Sequence, residues 1–442
     1  MKKLPIVISI GLMLICAVTA YADWGPIRQL TVSPDNSNMP YTGRAVAAMG
    51  NNLHIVYSDV VGGDRKVLYL RSTDRGTNWS SPVVIDEMSY SYTFSIAADS
   101  TGNVHFINRR ADGGLWYRRS TDNGATWSAP QQITAEVDIP LLLSNGPQNV
   151  YIFIVKPTSP PLLELYKSTD GGASWNRTDV VTQTGFQSIC AATSGSAIHI
   201  AYAYGGMGNA QTYYLRSTDN GTTWNSPRQI STSSQTVPVG IWANGNYLYL
   251  SFTIFGQTRN FRRSTDGGAN WLNETTLRAL ISDIAFLPSG VAHALSLKDD
   301  NRVLWFYSTD NGASWSDTVK ISGDAEGARA KPQIAVDGMN DLHAFWTSRQ
   351  TGNVELFYRF NSLGIEESPN DILCPPKTKL VTPNPAYNTL RVLSKKPVAL
   401  YDASGKLAVI LTPGENNISN LMPGVYFVRQ DETNTAKFIK LE

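Results

Sequence analysis

The sequence predicts an all-β protein, a seven-bladed β-propeller followed by a small C-terminal β-sandwich. Three observations lead to this prediction. Six near-copies of one octapeptide place their aspartates at positions 74, 122, 170, 219, 266 and 310, a period in the forties that indicates a repeated supersecondary unit. Each unit contains four short runs in which apolar residues are continuous or alternate with polar ones, and Gly and Pro lie between the runs. Four such strands per unit are typical of a propeller blade. No window keeps the 3.6-residue period of a helix.

Residues 1–22 have the features of a secretory signal peptide. Lys2 and Lys3 precede an apolar run from Leu4 to about Val18, and the small residues Ala20 and Ala22 follow it. The run is shorter than the ~20 residues that a membrane-spanning helix needs. We therefore expect cleavage after Ala22, export, and no transmembrane segment in the mature chain.

Seven innermost strands can be counted, although the octapeptides number only six. They are the runs RAVAA, SIAAD, PLLLS, SICAA, VGIWA, SDIAF and PQIAV, which begin at residues 44, 95, 140, 188, 239, 282 and 332. The seventh unit stops after its third strand at about Phe360. Its fourth strand is expected at the other end of the mature chain, because WGPIRQLT from Trp24 resembles WSAPQQIT from Trp127. Residues 23–360 would then form a ring closed by the N-terminal strand, without exposed sheet edges; a six-bladed ring is the alternative.

The composition excludes several classes of partner and site. Without Lys2 and Lys3 the chain has 35 basic and 36 acidic residues, which gives no attraction to nucleic acid or to an anionic membrane. After cleavage only Cys190 and Cys374 remain, too few for a disulfide framework or a thiolate metal site. Five histidines recur at or near second strands, and a position that recurs in every repeat is a packing position: His54, His105, His199, His293 and His343. No metal and no cofactor are expected.

Turn chemistry explains the octapeptide Ser-Thr-Asp-x-Gly-x-x-Trp. Its carboxylate can accept hydrogen bonds from backbone N–H groups one to three residues further on, its glycine allows a positive φ, and its indole can cover apolar surface between strands. The recurring residues are thereby used in making a turn. They are Asp74, Gly76 and Trp79; Asp122, Gly124 and Trp127; Asp170, Gly172 and Trp175; Asp219, Gly221 and Trp224; Asp266, Gly268 and Trp271; and Asp310, Gly312 and Trp315.

The octapeptide resembles the Asp-box, or bacterial neuraminidase repeat, of sialidases and many other secreted proteins. The resemblance covers roughly Trp24 to Phe360. It implies a propeller in which the boxes are structural, lie between the third and fourth strands of a blade, and face away from the catalytic centre. It indicates fold better than activity, because one scaffold hosts many functions.

The resemblance to sialidases also implies an arginine triad for the sugar carboxylate, a Tyr/Glu nucleophile pair and an aspartate acid/base. Arg44 stands in the place of the first arginine, without the proline of the family motif, and Asp64 stands in the loop where the acid is expected. The remaining groups have no counterpart: Glu164 is the only glutamate between Val137 and Asn273. We therefore predict a propeller that binds an extracellular glycan or protein. An exo-sialidase-like glycoside hydrolase and a non-catalytic surface scaffold are the alternatives.

The face opposite the boxes carries the candidate binding rim. Its charged loops belong to the first two and last two blades, which ring closure makes one contiguous sector. Paired carboxylates there could serve a glycosidase at a suitable separation, and tyrosines could stack on a sugar. The candidate rim residues are Arg65, Glu87, Tyr90, Tyr92, Arg110, Asp112, Asp299, Arg329, Lys331 and Arg349.

After a polar linker at 361–380, residues 381–442 predict a second small β domain. Its ordered motifs resemble the C-terminal sorting domain of the type IX secretion system. The matching residues are Pro383, Asn384 and Pro385; Tyr401 and Asp402; Gly405 and Lys406; Gly424 and Tyr426; and Lys437 and Lys440. The resemblance implies a bacterium of the Bacteroidetes-like group, a type IX secretion machinery as partner, and release or anchoring at the cell surface. An ordinary accessory β-sandwich is the alternative.

Overall fold

The computed structural model of the chain describes residues 24–40, 43–87, 93–137, 139–156, 162–182, 186–205, 208–254, 259–297, 301–323, 331–362, 381–382, 387–402, 406–430 and 435–440. The predicted signal peptide lies outside these residues. The chain divides into two compact units, Met1–Glu366 and Glu367–Glu442. All regular secondary structure in the described residues is β, which confirms the predicted all-β class. No described helix is long and apolar enough to cross a membrane.

The first unit contains seven four-stranded antiparallel sheets in its described residues. Strand β1 (Arg28–Gln29) belongs to the last of them. Blades 1 to 3 are β2 (Val46–Met49), β3 (Asn52–Val61), β4 (Asp64–Ser72) and β5 (Val83–Glu87); β6 (Phe94–Ala98), β7 (Val104–Arg109), β8 (Leu115–Ser120) and β9 (Gln131–Thr134); and β10 (Ile139–Asn145), β11 (Asn149–Lys156), β12 (Leu162–Ser168) and β13 (Asn176–Thr182).

The remaining sheets continue the same pattern. Blade 4 is β14 (Phe186–Ser194), β15 (Ala197–Tyr204), β16 (Gln211–Ser217) and β17 (Arg228–Gln229), and blade 5 is β18 (Thr236–Asn244), β19 (Tyr247–Ile254), β20 (Asn260–Ser264) and β21 (Thr275–Thr276). Blade 6 is β22 (Asp283–Phe286), β23 (Ala292–Leu297), β24 (Val303–Ser308) and β25 (Val319–Lys320). Blade 7 is β26 (Gln333–Val336), β27 (Leu342–Thr351), β28 (Asn353–Asn361) and β1.

The first strands of the blades contact one another in sequence order, and β26 of blade 7 contacts β2 of blade 1. The N-terminal strand pairs with the last strand of the unit, because Arg28 lies opposite Tyr358 and Gln29 opposite Phe357. The N–H of Gly25 donates to the carbonyl oxygen of Phe360 at 2.8 Å. The two ends of the propeller chain are therefore held in one sheet.

The cores lie between neighbouring blades. Each sheet packs against two others, so both faces of its middle strands are buried, and these strands read as apolar runs rather than as alternating ones. One such core joins Val56 and Tyr69 of blade 1 to Ile96 and Phe106 of blade 2, all of them 2% exposed or less.

The six boxes follow the third strands of blades 1 to 6 and share one hydrogen-bond pattern. In the second box, Ser120 Oγ donates to Asp122 Oδ1 at 2.7 Å and accepts from the N–H of Gly124 at 2.8 Å. The N–H of Thr126 donates to Asp122 Oδ1 at 2.9 Å. The carboxylate thus reaches a backbone group four residues on, and in two boxes it also accepts from the expected N–H three residues on, that of Ala173 to Asp170 and that of Thr222 to Asp219. The serine hydroxyl, not the aspartate, takes the N–H of the glycine.

Each box also fastens its blade to the preceding one. The Trp127 ring lies edge-on to Tyr69 of blade 1, with centroids 5.1 Å apart. Arg71 Nη1 of blade 1 donates to the carbonyl oxygen of Asn123 in the second box at 3.0 Å. The same edge-on packing joins Trp79 to Tyr358, Trp175 to Tyr117, Trp224 to Phe153, Trp271 to Tyr214 and Trp315 to Phe261. The box residues are therefore occupied in packing and turn formation.

The second-strand histidines lie inside the blades. His54, His105, His199 and His343 each place Nδ1 within 2.6–2.9 Å of a tyrosine hydroxyl on the third strand. Burial lowers the pKa of His54, His199 and His293 to about 4. No group of three or more His, Cys, Asp or Glu able to hold a metal ion occurs in the described parts of the chain.

The described residues of the second unit form two sheets around one apolar core. The first orders β29 (Val381–Thr382), β30 (Thr389–Val392) and β33 (Gly414–Asn417); the second orders β32 (Leu407–Leu411), β31 (Val398–Tyr401), β34 (Gly424–Arg429) and β35 (Thr435–Lys440). Leu390 of the first sheet and Leu400 and Val428 of the second are fully buried in the same cluster.

The residues that resemble a sorting signal lie in this second unit. Tyr401 ends β31, and the N–H of Lys406 donates to Asp402 Oδ1 at 3.0 Å. The hydroxyl of buried Tyr426 donates to the carbonyl oxygen of Met422 at 2.8 Å. Gly424 begins β34, while Lys437 and the buried Lys440 lie in β35; Pro383, Asn384, Pro385 and Gly405 lie outside the described residues.

Candidate binding cavity

A cavity of about 340 Å³ lies on the axis of the ring, where the first strands of the blades converge. Its charged and polar wall residues precede or begin these strands, as Arg44, Asp283 and Gln333 do. Neighbouring strands of a blade run in opposite directions, so the first and third strands run the same way. The start of a first strand and the box after a third strand therefore lie at opposite ends of the strands, and so on opposite faces of the ring. The mouth of the cavity is therefore on the face opposite the boxes.

Most of the cavity wall is apolar. It comes from β10, β14, β18 and β22, and so from blades 3, 4, 5 and 6. The apolar wall residues are Leu141, Leu142, Leu143, Ile189, Ala191, Ala192, Val239, Ile241, Trp242, Ala243, Ile284 and Phe286. The charged loops of blades 1, 2, 6 and 7 are the site expected from the sequence. The wall of the cavity also includes residues from blades 3, 4 and 5, whose loops are nearly uncharged, because the first strand of every blade lies next to the axis.

Arg44 and Asp283 form the central ion pair of the cavity, with Arg44 Nη1 donating to Asp283 Oδ1 at 2.8 Å. The same carboxylate accepts from Trp242 Nε1 at 2.9 Å and from two backbone N–H groups, those of Ile284 at 3.0 Å and Ile334 at 2.9 Å. Its side chain is 5% exposed. A buried carboxylate with four donors is fully hydrogen-bonded and serves as a fixed anchor for the guanidinium.

Arg44 keeps part of its hydrogen-bonding capacity. Besides the bond to Asp283, Nη2 donates to the carbonyl oxygen of Ile334 at 3.0 Å and Nε to that of Val46 at 3.5 Å. A guanidinium has five N–H groups, so these bonds engage three of them. The Arg44 side chain is 38% exposed. It is thus positioned by the protein and still open to the cavity.

Lys331 is the second cation of the wall. Its Nζ donates to the carbonyl oxygen of Val239 at 3.3 Å. The Lys331 side chain is exposed; desolvation by the surrounding protein lowers the pKa of its ammonium, and Asp283 acts in the opposite direction. The described wall therefore carries two cations and one carboxylate.

Gln333 and Cys190 complete the polar part of the wall. Gln333 Oε1 accepts from the N–H groups of Ala45 and Val46 at 2.9 and 3.2 Å, which ties β26 to the start of β2. Cys190 is a free, partly buried thiol, and burial raises its pKa to about 12. At neutral pH this side chain is a protonated, weakly polar part of the wall.

Of the residues proposed from the sequence, Arg44 and Lys331 are brought together in the cavity wall. Asp64, the proposed acid, is not part of that wall. It begins β4, its side chain is 78% exposed, and its carboxylate lies 3.7 Å from Lys66 Nζ. The structure therefore does not join Arg44 and Asp64 in one site.

The other described rim candidates make contacts outside the cavity. Arg65 lies 4.0 Å from a carboxylate oxygen of Asp35, Glu87 pairs with Lys66, and Arg349 is exposed on β27. Arg110 donates to Asp86 through Nε and Nη2 and lies 4.1 Å above the Trp116 ring, and Asp112 Oδ1 accepts from the N–H of Gly114. None of these described residues lines the cavity. Tyr90, Tyr92, Asp299 and Arg329 lie outside the described residues.

Sequence reasoning missed Asp283, Trp242, Gln333 and Cys190 as wall residues. The runs SDIAF, VGIWA, PQIAV and SICAA predict only first strands. One signal was available: each is a short run of small or apolar residues that also contains at least one polar, aromatic or thiol side chain. On a first strand, such a side chain faces either the axis or the neighbouring blade.

Comparisons with known proteins agree with this fold. The BNR/Asp-box repeat family matches residues 306–317, which contain the sixth box. The solved polysaccharide lyase Uly1 is similar with a TM-score of 0.54 at 11% identity, over 75% of this chain and 94% of that one. A PL25 ulvan lyase is similar with a TM-score of 0.51 at 11% identity, over 75% and 95%.

The NanB sialidase of Streptococcus pneumoniae gives a TM-score of 0.45 at 11% identity, over 76% of this chain and 70% of that one. No curated protein sequence matches the chain. At these identities the likeness to solved structures concerns the fold alone. The first unit therefore has the fold of a β-propeller, and its sixth box matches the BNR/Asp-box repeat family.

Proposed function

We propose that the protein is exported and binds an extracellular target, a glycan or a protein, in the axial cavity of its propeller without catalysing a reaction. The observation that carries the proposal is the Arg44–Asp283 pair. A buried, fully hydrogen-bonded carboxylate holds a guanidinium at the wall of a concave apolar cavity, which is the usual composition of a binding site. Such a preorganised donor binds a ligand without having to be ordered first.

Binding is favoured over hydrolysis by what surrounds Arg44. A retaining glycosidase needs a nucleophile and an acid/base carboxyl group close to the same bond. The described wall of the cavity includes neither a tyrosine nor a glutamate, and its one carboxylate is engaged by four donors. These groups suit recognition better than proton transfer.

We also propose that residues 1–22 direct export and that residues 381–442 are a type IX sorting domain that brings the propeller to the cell surface. The proposal rests on the sequence motifs and is compatible with a separate compact C-terminal unit. It is tested in a bacterial host that has the type IX machinery. The intact chain should reach the surface or the medium, and a chain without residues 381–442 should stay within the cell envelope.

The binding proposal is tested with the full chain on a glycan array and a panel of extracellular proteins, alongside a fluorogenic sialoside. Saturable binding without turnover is expected. The matched variants are Lys331→Gln in the cavity wall and Asp64→Asn outside it, and only the first should weaken binding. Turnover of the sialoside that Asp64→Asn abolishes would replace the proposal with the hydrolase alternative.

A further inference from the structure

Three features of the axial cavity together indicate the chemical class of its ligand. The cavity has an apolar wall, two cationic side chains, and strand edges that face the axis. Strands β14 and β18 each pair with one neighbour only, β15 and β19, so their other edge is turned toward the ring axis. Ser188 to Ala192 and Val239 to Ala243 on these strands line the cavity.

The apolar wall argues against a sugar as the main occupant. A sugar ring carries hydroxyl groups on most of its carbons, and burial of a hydroxyl without a hydrogen-bond partner is unfavourable. The side chains of Leu141, Ile189, Ile241 and Phe286 offer such hydroxyls no hydrogen bond. Trp242, the one indole of the wall, already donates its N–H to Asp283 and is 9% exposed. An apolar group fits this wall better.

The two cationic side chains indicate that the ligand also carries an anionic group next to its apolar part. Arg44 retains N–H groups beyond its three bonds, and the ammonium of Lys331 has three N–H groups, of which the bond to Val239 engages one. The only carboxylate of the described wall, Asp283, is balanced by Arg44. The cavity therefore keeps about one positive charge, which complements a single carboxylate.

The edges of β14 and β18 argue for a peptide rather than an acyl chain. An edge strand presents backbone N–H and C=O groups that an extended peptide can pair with, whereas an acyl chain pairs with none of them. The last residue of a polypeptide brings a side chain, a carboxylate and a peptide group into the space of one residue. Capture of a C-terminal carboxylate is a known mode of peptide recognition.

We propose that the cavity binds the free C-terminus of a polypeptide that ends in apolar residues. The terminal carboxylate meets Arg44 and Lys331, the last side chain lies against the wall formed by Leu141, Ile189 and Ile241, and the backbone runs out along β14 or β18. This inference rests on the proposed function and specifies its target as a protein.

The test uses the full chain and a fluorescein-labelled hexapeptide, Gly-Ser-Gly-Ser-Leu-Leu, with a free C-terminal carboxylate, measured by fluorescence anisotropy. The same peptide as a C-terminal amide is the matched probe. The carboxylate form should bind about tenfold more tightly than the amide. Lys331→Gln should weaken binding of the carboxylate form about three- to tenfold and leave that of the amide unchanged. Lys396→Gln, which makes the same charge change in the second unit, should alter neither.

Equal binding of the two peptides, or an unchanged affinity in Lys331→Gln, would overturn the inference. Displacement of the bound peptide by dodecanoate at lower concentration than by unlabelled peptide would assign the cavity to acyl carboxylates instead. Binding on the glycan array with no peptide binding would end this inference and leave the proposed function standing. Failure of the array, the protein panel and the peptides together would end both.

Discussion

Gly124 in the second box lies against the phenol of Tyr69 in the neighbouring blade, so closely that a Cβ on this glycine would come within 1.8 Å of Tyr69 Oη. The tyrosine hydroxyl in turn lies 2.6 Å from His54 Nδ1. The box glycine Gly124 therefore has two functions: it adopts a φ of 76° and it makes room for the tyrosine of the preceding blade. The same arrangement joins Gly76 to Tyr358, Gly172 to Tyr117 and Gly268 to Tyr214.

Gly124→Ala is expected to destabilise the propeller by about 3 kcal/mol or more, because positive-φ strain adds to the displacement of Tyr69. Gly146→Ala is the matched control: its φ is 69°, but a Cβ there meets nothing within 4 Å. It should cost only about 1 kcal/mol, for the backbone strain alone. Urea unfolding of both variants checks this difference. Equal losses of stability would show that the box glycines serve the turn only.

A second prediction concerns the contact between blades 1 and 7. Arg75 of the first box pairs with Asp337 and Asp341, whose side chains are almost fully buried. Arg75→Met removes the cation and leaves these carboxylates in a dry environment, which should cost about 3 kcal/mol. Arg278→Met breaks a pair with Asp317 in which both side chains are over 80% exposed, and its effect on the free energy of unfolding should stay within about 0.5 kcal/mol. Similar effects of the two variants would contradict a buried junction.

A third prediction concerns acid stability. His54, His199 and His293 stay neutral in the folded state down to about pH 4, whereas in the unfolded chain they take up a proton near pH 6.5. Below pH 6.5 the unfolded state therefore binds more protons, and stability falls until about pH 4. The slope can reach about 1.4 kcal/mol per pH unit for each histidine. Urea unfolding between pH 7.5 and 4.5 measures this slope, and a flat profile would contradict the buried, neutral histidines.

The box aspartates provide the control for that experiment. Hydrogen bonds from Thr126 and Ser120 lower the pKa of Asp122 to about 2, so its contribution is lost only as the pH falls below about 4. Asp122→Asn should lower stability at neutral pH and leave the slope between pH 6.5 and 4.5 unchanged. A changed slope would mean that the aspartates, not the histidines, titrate in this range.

A fourth prediction concerns the thiol in the cavity wall. Because burial raises the pKa of Cys190 to about 12, its thiolate fraction at pH 8 is about a thousandfold below that of a free cysteine. Iodoacetamide should modify Cys190 two to three orders of magnitude more slowly in the folded protein than in urea, as read by peptide mass spectrometry. A ligand in the cavity should slow the reaction further. Equal rates in the folded and unfolded chain would contradict the buried thiol.

The sequence predicts much of the scaffold because its signals are local and repeated. The box of each blade is a turn whose hydrogen bonds join residues at most four apart, so Ser120, Asp122 and Gly124 can be interpreted without the rest of the chain. The regular period then indicates the sheets.

The cavity is less predictable, because its contacts join distant parts of the chain. Arg44 meets Asp283 across 239 positions, and Trp242 meets it from another blade. The sequence predicts a site at charges in polar loops, such as Asp64. The buried carboxylate of Asp283 lies at the start of an apolar run, which predicts only a strand. Which first-strand side chains converge depends on the geometry of the ring, and no local pattern encodes it.

The central claim is that recognition takes place in the axial cavity, on the face opposite the boxes. It is tested most directly by the dissociation constant of the tightest-binding probe for two phenylalanine variants of the full chain. Ala191→Phe places a ring in the cavity, and Thr77→Phe places the same ring on the exposed tip of the first box. The account predicts at least about tenfold weaker binding for Ala191→Phe and unchanged binding for Thr77→Phe. Unchanged binding in Ala191→Phe with a loss in Thr77→Phe would place recognition on the box face and contradict the account.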